Sequence, residues 1–163
     1  MGKTTDLRRE ITTIFVPAMQ RRGFTVDKRD LPVFLRFWRI KDDEAHLFDI
    51  QWEKYGRPRF IVNFGRCPAA GLVIRGKHYA PQDVLASWTP EGGRLQPQPG
   101  TSSRSWFRQD KPFLQSLFSR EKLRPADEVI AVDLLCTFGE VEMWWESRTR
   151  MAHMHRHLHL RQH

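Results

Sequence analysis

The chain has 163 residues, 40% of them hydrophobic, with six Trp, eleven Phe, two Tyr, two Cys and a net charge of +8. That is enough apolar material for the core of one ordinary domain, and two cysteines without C-x-x-C spacing exclude a disulfide-stapled scaffold. With apolar runs of only a few residues no membrane span is expected, and no signal segment is visible in the charge-alternating stretch MGKTTDLRRE, so a soluble, cytoplasmic protein is expected.

From Thr5 to Arg22, Leu7, Ile11, Ile14, Phe15, Ala18 and Met19 recur at helical spacing, with Thr5 as N-cap and Gly23 as stop. Pro17 is expected to kink this helix. Val33 to Ile40 reads as a strand, and Asp42-Asp43-Glu44 as an acidic turn. Leu47 to Glu53 and Arg59 to Gly65 then read as a hairpin joined by residues 54–58. Setting Trp52 opposite Phe60 places Ile50 against Val62 and Phe48 against Phe64, a continuous apolar face. The same register sets Glu53 opposite Arg59 and Asp49 opposite Asn63 on the other face. Asn63 is the one asparagine in the chain, at a position strands disfavour. Leu72 to Ile74 suggests a shorter fourth strand, and Pro81 to Trp88 a short helix. The Gly/Pro/Ser-rich TPEGGRLQPQPGTSSRS reads as one long loop. Asp110 is expected to cap a helix to about Lys122 that buries Phe113, Leu114, Leu117 and Phe118. A longer helix starts at Asp127 with Ile130, Leu134, Phe138, Val141 and Trp145 in phase. Gly139 is a point where it would break, and the branched run Val129 to Leu135 also fits a strand.

These elements predict an α+β fold: an N-terminal helix, a three- to four-stranded antiparallel sheet, and C-terminal helices on one face. Residues 1–150 form a single domain. Residues 151–163 are expected to be a flexible, basic, His-rich tail. Four of the eight excess positive charges lie at Arg148, Arg150, Arg156 and Arg161, with no acid after Glu146. The body is therefore only weakly basic.

Several motifs carry a family resemblance. They are a helix closing on Gly23-Phe24, Phe34-x-Arg36 at a strand start, Gln51 before Lys54-x-Gly56, and Phe60-x-Val62-Asn63-x-Gly65. In these the first half of the chain resembles the bacterial Domain of Unknown Function 4304 family, with Trp106-Phe107 as a weaker echo. The resemblance implies an α+β architecture and assigns no activity, so no catalytic residue is carried over. The His-rich ending belongs to no pattern of that family.

The candidate chemistry is mostly negative. Walker, Rossmann, H-E-x-x-H and G-x-S-x-G signatures are absent. Cys67, beside Arg66 and within a strand of His46, is a candidate thiol but reads first as an ordinary loop cysteine. Asp49 and Glu53 share a strand face without the facing geometry that hydrolysis needs. His153, His155, His157 and His159 offer i, i+4 pairs for Zn, Ni or Cu. Without a fixed carboxylate or Cys they read first as a basic terminus. Arg36, Phe37, Trp38 and Arg39 interleave as in single-strand nucleic-acid platforms, but their parity splits the arginines between faces.

No cofactor is implied. The expected site is the polar sheet face, with Arg36, Asp49, Gln51, Asn63 and the Trp106 loop as binding residues. The expected function is non-catalytic binding of a protein or small polar ligand, without membrane contact. Nucleic-acid binding is less favoured, and an unrecognised hydrolase stands as a third reading.

Overall fold

The structure is a computed structural model that describes residues 5–100, 106–111, 117–118 and 123–156. Helix α1 (residues 5–21) runs through Thr5–Glu10, a wide π turn at Ile11–Phe15, and Val16–Arg21. Pro17 was expected to kink it. Instead the π turn sits just before, so Pro17 falls in the first turn of the last segment, where a missing N–H costs least. The helix ends in a Schellman motif. Gly23 has φ +83°, its N–H donates to the Gln20 carbonyl, and Phe24 N–H donates to Met19 O at 3.1 Å.

Among the described residues nine strands follow: β1 (Thr25–Asp27), β2 (Phe34–Lys41), β3 (Glu44–Trp52), β4 (Arg59–Pro68), β5 (Leu72–Ile74), β6 (Lys77–Tyr79), β7 (Glu91–Leu95), β8 (Phe107–Arg108) and β9 (Met154–Arg156). Seven make one antiparallel sheet in the order β1-β2-β3-β4-β7-β9, with β8 also paired to β4. This corrects the expected three or four strands. The β5–β6 hairpin stands apart, so Leu72 to Ile74 is a strand but not part of the main sheet. The acidic turn joins β2 to β3 with Asp42 at φ 50° and Asp43 at φ 63°, the left-handed pair that a two-residue hairpin requires. The β3–β4 register is the expected one: Trp52 opposite Phe60, Ile50 opposite Val62, Phe48 opposite Phe64 and Asp49 opposite Asn63.

The segment read as a long loop contains β7. Its Gly-Gly pair looked like loop chemistry, but close approach explains it. A Cβ on Gly92 would meet the Phe64 carbonyl at 2.3 Å, and one on Gly93 the His155 carbonyl at 2.4 Å. The expected tail also enters the sheet: Met154–Arg156 pairs with Gly93 to Leu95 as β9.

Helix α2 (residues 126–147) comprises Ala126–Glu128, a π turn at Val129–Leu134, and Leu135–Ser147. Val129 to Leu135 is helical rather than extended, and Gly139 does not break the helix. Both helices cover one sheet face. There Phe15, Phe48 and Phe138 meet edge to face at centroid separations of 4.7–5.9 Å, and Phe37 stacks on Phe48 at 4.3 Å. Leu117 and Phe118, expected in the core, are exposed, Phe118 at 92%. The rest of the helix expected after Asp110 lies outside the described residues.

The other sheet face was expected to be open. Part of it is covered by residues 69–90, which carry the β5–β6 hairpin and 3-10 turns at Pro81–Asp83 and Ala86–Trp88 instead of the expected single helix. Val84 and Ala86 pack there on Ala45, Leu47 and Cys67. Gly65 permits this, because a Cβ would lie 2.0 Å from Thr89 Oγ1 and 2.9 Å from the Ala86 carbonyl. Gly65→Ala is therefore expected to destabilise the protein by about 1–3 kcal/mol in urea unfolding. An unchanged midpoint would contradict this packing.

Candidate functional site

The strand register builds a polar row. Arg36 on β2 lies opposite Asp49 on β3, Asp49 opposite Asn63 on β4, and Asn63 opposite Arg94 on β7. All four point to the face away from the helices, because their neighbours Leu35, Phe48, Val62 and Leu95 fill the core. Asn63 is the hub. Its Nδ2 donates to Asp49 Oδ1 at 2.7 Å and to Gln51 Oε1 at 3.3 Å, and its Oδ1 accepts from Arg94 Nε at 3.2 Å. Asp49 Oδ2 accepts the Ala86 backbone N–H at 3.1 Å, which ties the 69–90 segment to the sheet. Asp49 and Asn63 are each only 1% exposed. Burial pushes the Asp49 carboxyl up to about 6, against the donors Asn63 and Ala86 and the positive field of Arg36 and Arg94.

Arg36 closes the β2 end. It donates to Asp30 and, at 3.3 Å, to the Gln82 carbonyl. Beside it opens a cleft of about 410 Å³ lined by Asp30, Val33, Phe34, Arg36, Leu85 and Trp88. Val33 is 50% and Trp88 45% exposed on its rim. Trp88 is braced by Tyr79, whose ring meets it edge to face at 5.6 Å.

The structure thus brings Arg36, Asp49, Gln51 and Asn63 together. Trp106 joins the same face further along, through Arg59, whose guanidinium lies 4.6 Å from its ring centroid and 3.5 Å from Glu53. Glu53 is pushed up by burial, but the N–H groups of Arg57 and Tyr55 and the charge of Arg59 outweigh this and hold its carboxyl below the usual range. Arg94, Leu85 and Trp88 were missed. An Arg94 two residues after Gly92, in strand alternation, was the available signal. The cleft depends on non-local packing that leaves no local pattern.

The alternative chemistries fare differently. Cys67 and His46 lie on opposite sheet faces, since Cys67 pairs with Ala45 and His46 with Arg66, so the thiol has no histidine base there. Cys67 is buried, and desolvation pushes its thiol up to about 11. Native protein at pH 8 is expected to react with Ellman's reagent at one thiol, exposed Cys136, while Cys67 reacts only after unfolding. Two fast equivalents would contradict this. His46 faces the helices, stacked on Trp145 at 4.7 Å and 3°. The arginines of the less favoured nucleic-acid reading are engaged internally. Arg39 pairs with Glu142 at 3.2 Å and lies over the Phe24 ring, and Arg36 pairs with Asp30. Of the histidines, His153 bonds Glu140 through Nδ1 at 2.7 Å, and His155 sits on β9 opposite Arg94. His157 and His159 lie outside the described residues, and no group of three metal-binding side chains occurs among the described ones.

Comparison with known proteins gives no match to a family model, to a curated protein or to a solved structure. Among the described residues, no helix is long and apolar enough to cross a membrane.

Proposed function

We propose that this chain is a cytoplasmic, non-catalytic binding domain whose recognition surface lies at the Arg36 end of the sheet face carrying Arg36, Asp49, Gln51 and Asn63, with the buried Asp49–Asn63 pair as its framework. The observation that carries the reading is the cleft at the β2 end of that row. It is a shallow, open hollow in which the apolar side chains of Val33, Phe34, Leu85 and Trp88 stand beside a charged Arg36–Asp30 pair. The groups that resemble catalytic ones support binding over bond-breaking. Asp49 is enclosed and its oxygens are occupied, and Cys67 is held as a thiol. We also place the chain as a relative of the Domain of Unknown Function 4304 family, on the first-half resemblance; the α+β class agrees with what that resemblance implies.

The test is a thermal-shift screen of small ligands that pair an apolar body with one polar group. Some are expected to raise the melting temperature of the wild type and to lose that effect in Trp88→Ala. A screen without hits, or hits that persist unchanged in Trp88→Ala, would overturn the reading.

A further inference from the structure

On the β7 side of the same face a half-buried arginine precedes a buried amide whose polar ends are unmet. Arg94 is half-buried, and burial lowers its pKa. Among the sheet arginines whose side chains are described, Arg36, Arg39, Arg59, Arg66 and Arg108 each form a salt bridge, and Arg94 forms none. Asn63 stands between Arg94 and Asp49 and accepts from Arg94 Nε, so the Asp49 charge acts on Arg94 through space without a direct ion pair.

Two residues on, Gln96 continues the strand alternation, since its N–H donates to the His153 carbonyl at 2.8 Å. It therefore follows Arg94 on the polar face. Gln96 is 1% exposed, yet neither Nε2 nor Oε1 of its amide has a partner among the described residues. A buried amide with both ends unmet is costly, and such groups call for an explanation. A guanidinium wants an anion, and a primary amide wants an edge with an acceptor and a donor side by side.

We infer that Arg94 and Gln96 form a subsite for a small carboxylate that also carries an amide, Arg94 taking the carboxylate and Gln96 the amide edge. The assignment rests on the reading of this face as a recognition surface, and it adds the ligand's class. The spacing suits the two groups, because i and i+2 on a strand stand about 7 Å apart. Enclosure of the Gln96 amide means that a ligand displaces the side chains over it as it enters.

The test titrates ¹⁵N-labelled full-length protein with succinamate, whose primary amide presents a carbonyl and an N–H on one edge, and with acetate and acetamide as probes of each half. Succinamate is expected to shift the amides of residues 94–96 and to bind at least about tenfold more tightly than either half. Arg94→Met should abolish binding and Arg94→Lys retain part of it. Gln96→Met should weaken binding about tenfold without lowering the melting temperature, because it removes an unmet polar group. If both Arg94 variants bind as the wild type does, the subsite is wrong. If Gln96→Met lowers the melting temperature and leaves binding unchanged, Gln96 serves a buried water instead, and the inference falls. Absence of succinamate binding while Trp88-dependent ligands persist removes this inference alone. Loss of both removes the recognition reading too.

Discussion

Asn63→Ala is expected to lower the unfolding free energy by about 2–4 kcal/mol at pH 7, because it removes two charge-assisted hydrogen bonds, to Asp49 and from Arg94, and a longer neutral one to Gln51. The side chain supplies a 2.7 Å donor to Asp49, a longer one to Gln51, and the acceptor for Arg94. Without it, Asp49 keeps only the Ala86 N–H in a site closed to water. The cost is that of an under-solvated carboxylate, not of lost packing. It should therefore shrink below pH 5, where the Asp49 carboxyl takes up its proton. Urea unfolding near pH 7 and pH 5 checks both statements. A loss under about 0.5 kcal/mol, or one independent of pH, would show that the hub is not organised as described.

The second expectation concerns two buried groups that oppose each other in acid. Burial, reinforced by the positive charge of Arg39, depresses His46 to about 4, from an ordinary value near 6.5. Its folded pKa lies below its unfolded one, so its stability contribution is complete above pH 6.5 and is lost as pH falls toward 4. Asp49 runs the other way. Its folded pKa, about 6, lies above the unfolded 3.8, so its contribution is largest below pH 4 and declines as pH rises to 6. Each amounts to roughly 2–3 kcal/mol, taking part of the His46 figure off for residual solvent contact. Across pH 4 to 6 the two largely cancel in the wild type. Asp49→Asn removes one side and should steepen the loss of stability on acidification by about 2–3 kcal/mol relative to wild type. His46→Phe keeps a ring against Trp145 and should flatten or reverse the loss by a similar amount. Differences between variants isolate these terms from Asp27, Glu44 and Glu53, whose depressed carboxyls also cost stability in acid. Parallel pH profiles for all three proteins would contradict the account.

The β3–β4 hairpin was legible because both faces of its strands carry information. Phe48, Ile50 and Trp52 find Phe64, Val62 and Phe60 only in the register that also sets Asp49 on Asn63. The same alternation placed Arg36, Asp49, Gln51 and Asn63 on one face. Asn63 looked unexplained by packing, and the structure supplies the reason: it is the hydrogen-bonding centre of a buried row. What stayed hidden was non-local. Strand β7 is written in glycines because backbone from two neighbouring strands crowds it, and a glycine pair reads locally as a loop. The cover over Asp49 is built from three-residue strands and 3-10 turns, each too short for a periodic signal. Arg94 and Trp88 could not join the site until those pieces were placed. Leu117 and Phe118 show the opposite error: helical phase marks an apolar stripe but does not say what covers it.

We propose ligand recognition on the face bearing the Arg36–Asp49–Asn63–Arg94 row, and ¹H–¹⁵N chemical-shift mapping of a small-fragment library on the wild-type protein tests it. Binding fragments are expected to converge on the amides of Phe34, Arg36, Leu85, Trp88 and Arg94. Fragments that gather instead on the outer side of α2, around Val132 and Met143, or that bind nowhere, would contradict it.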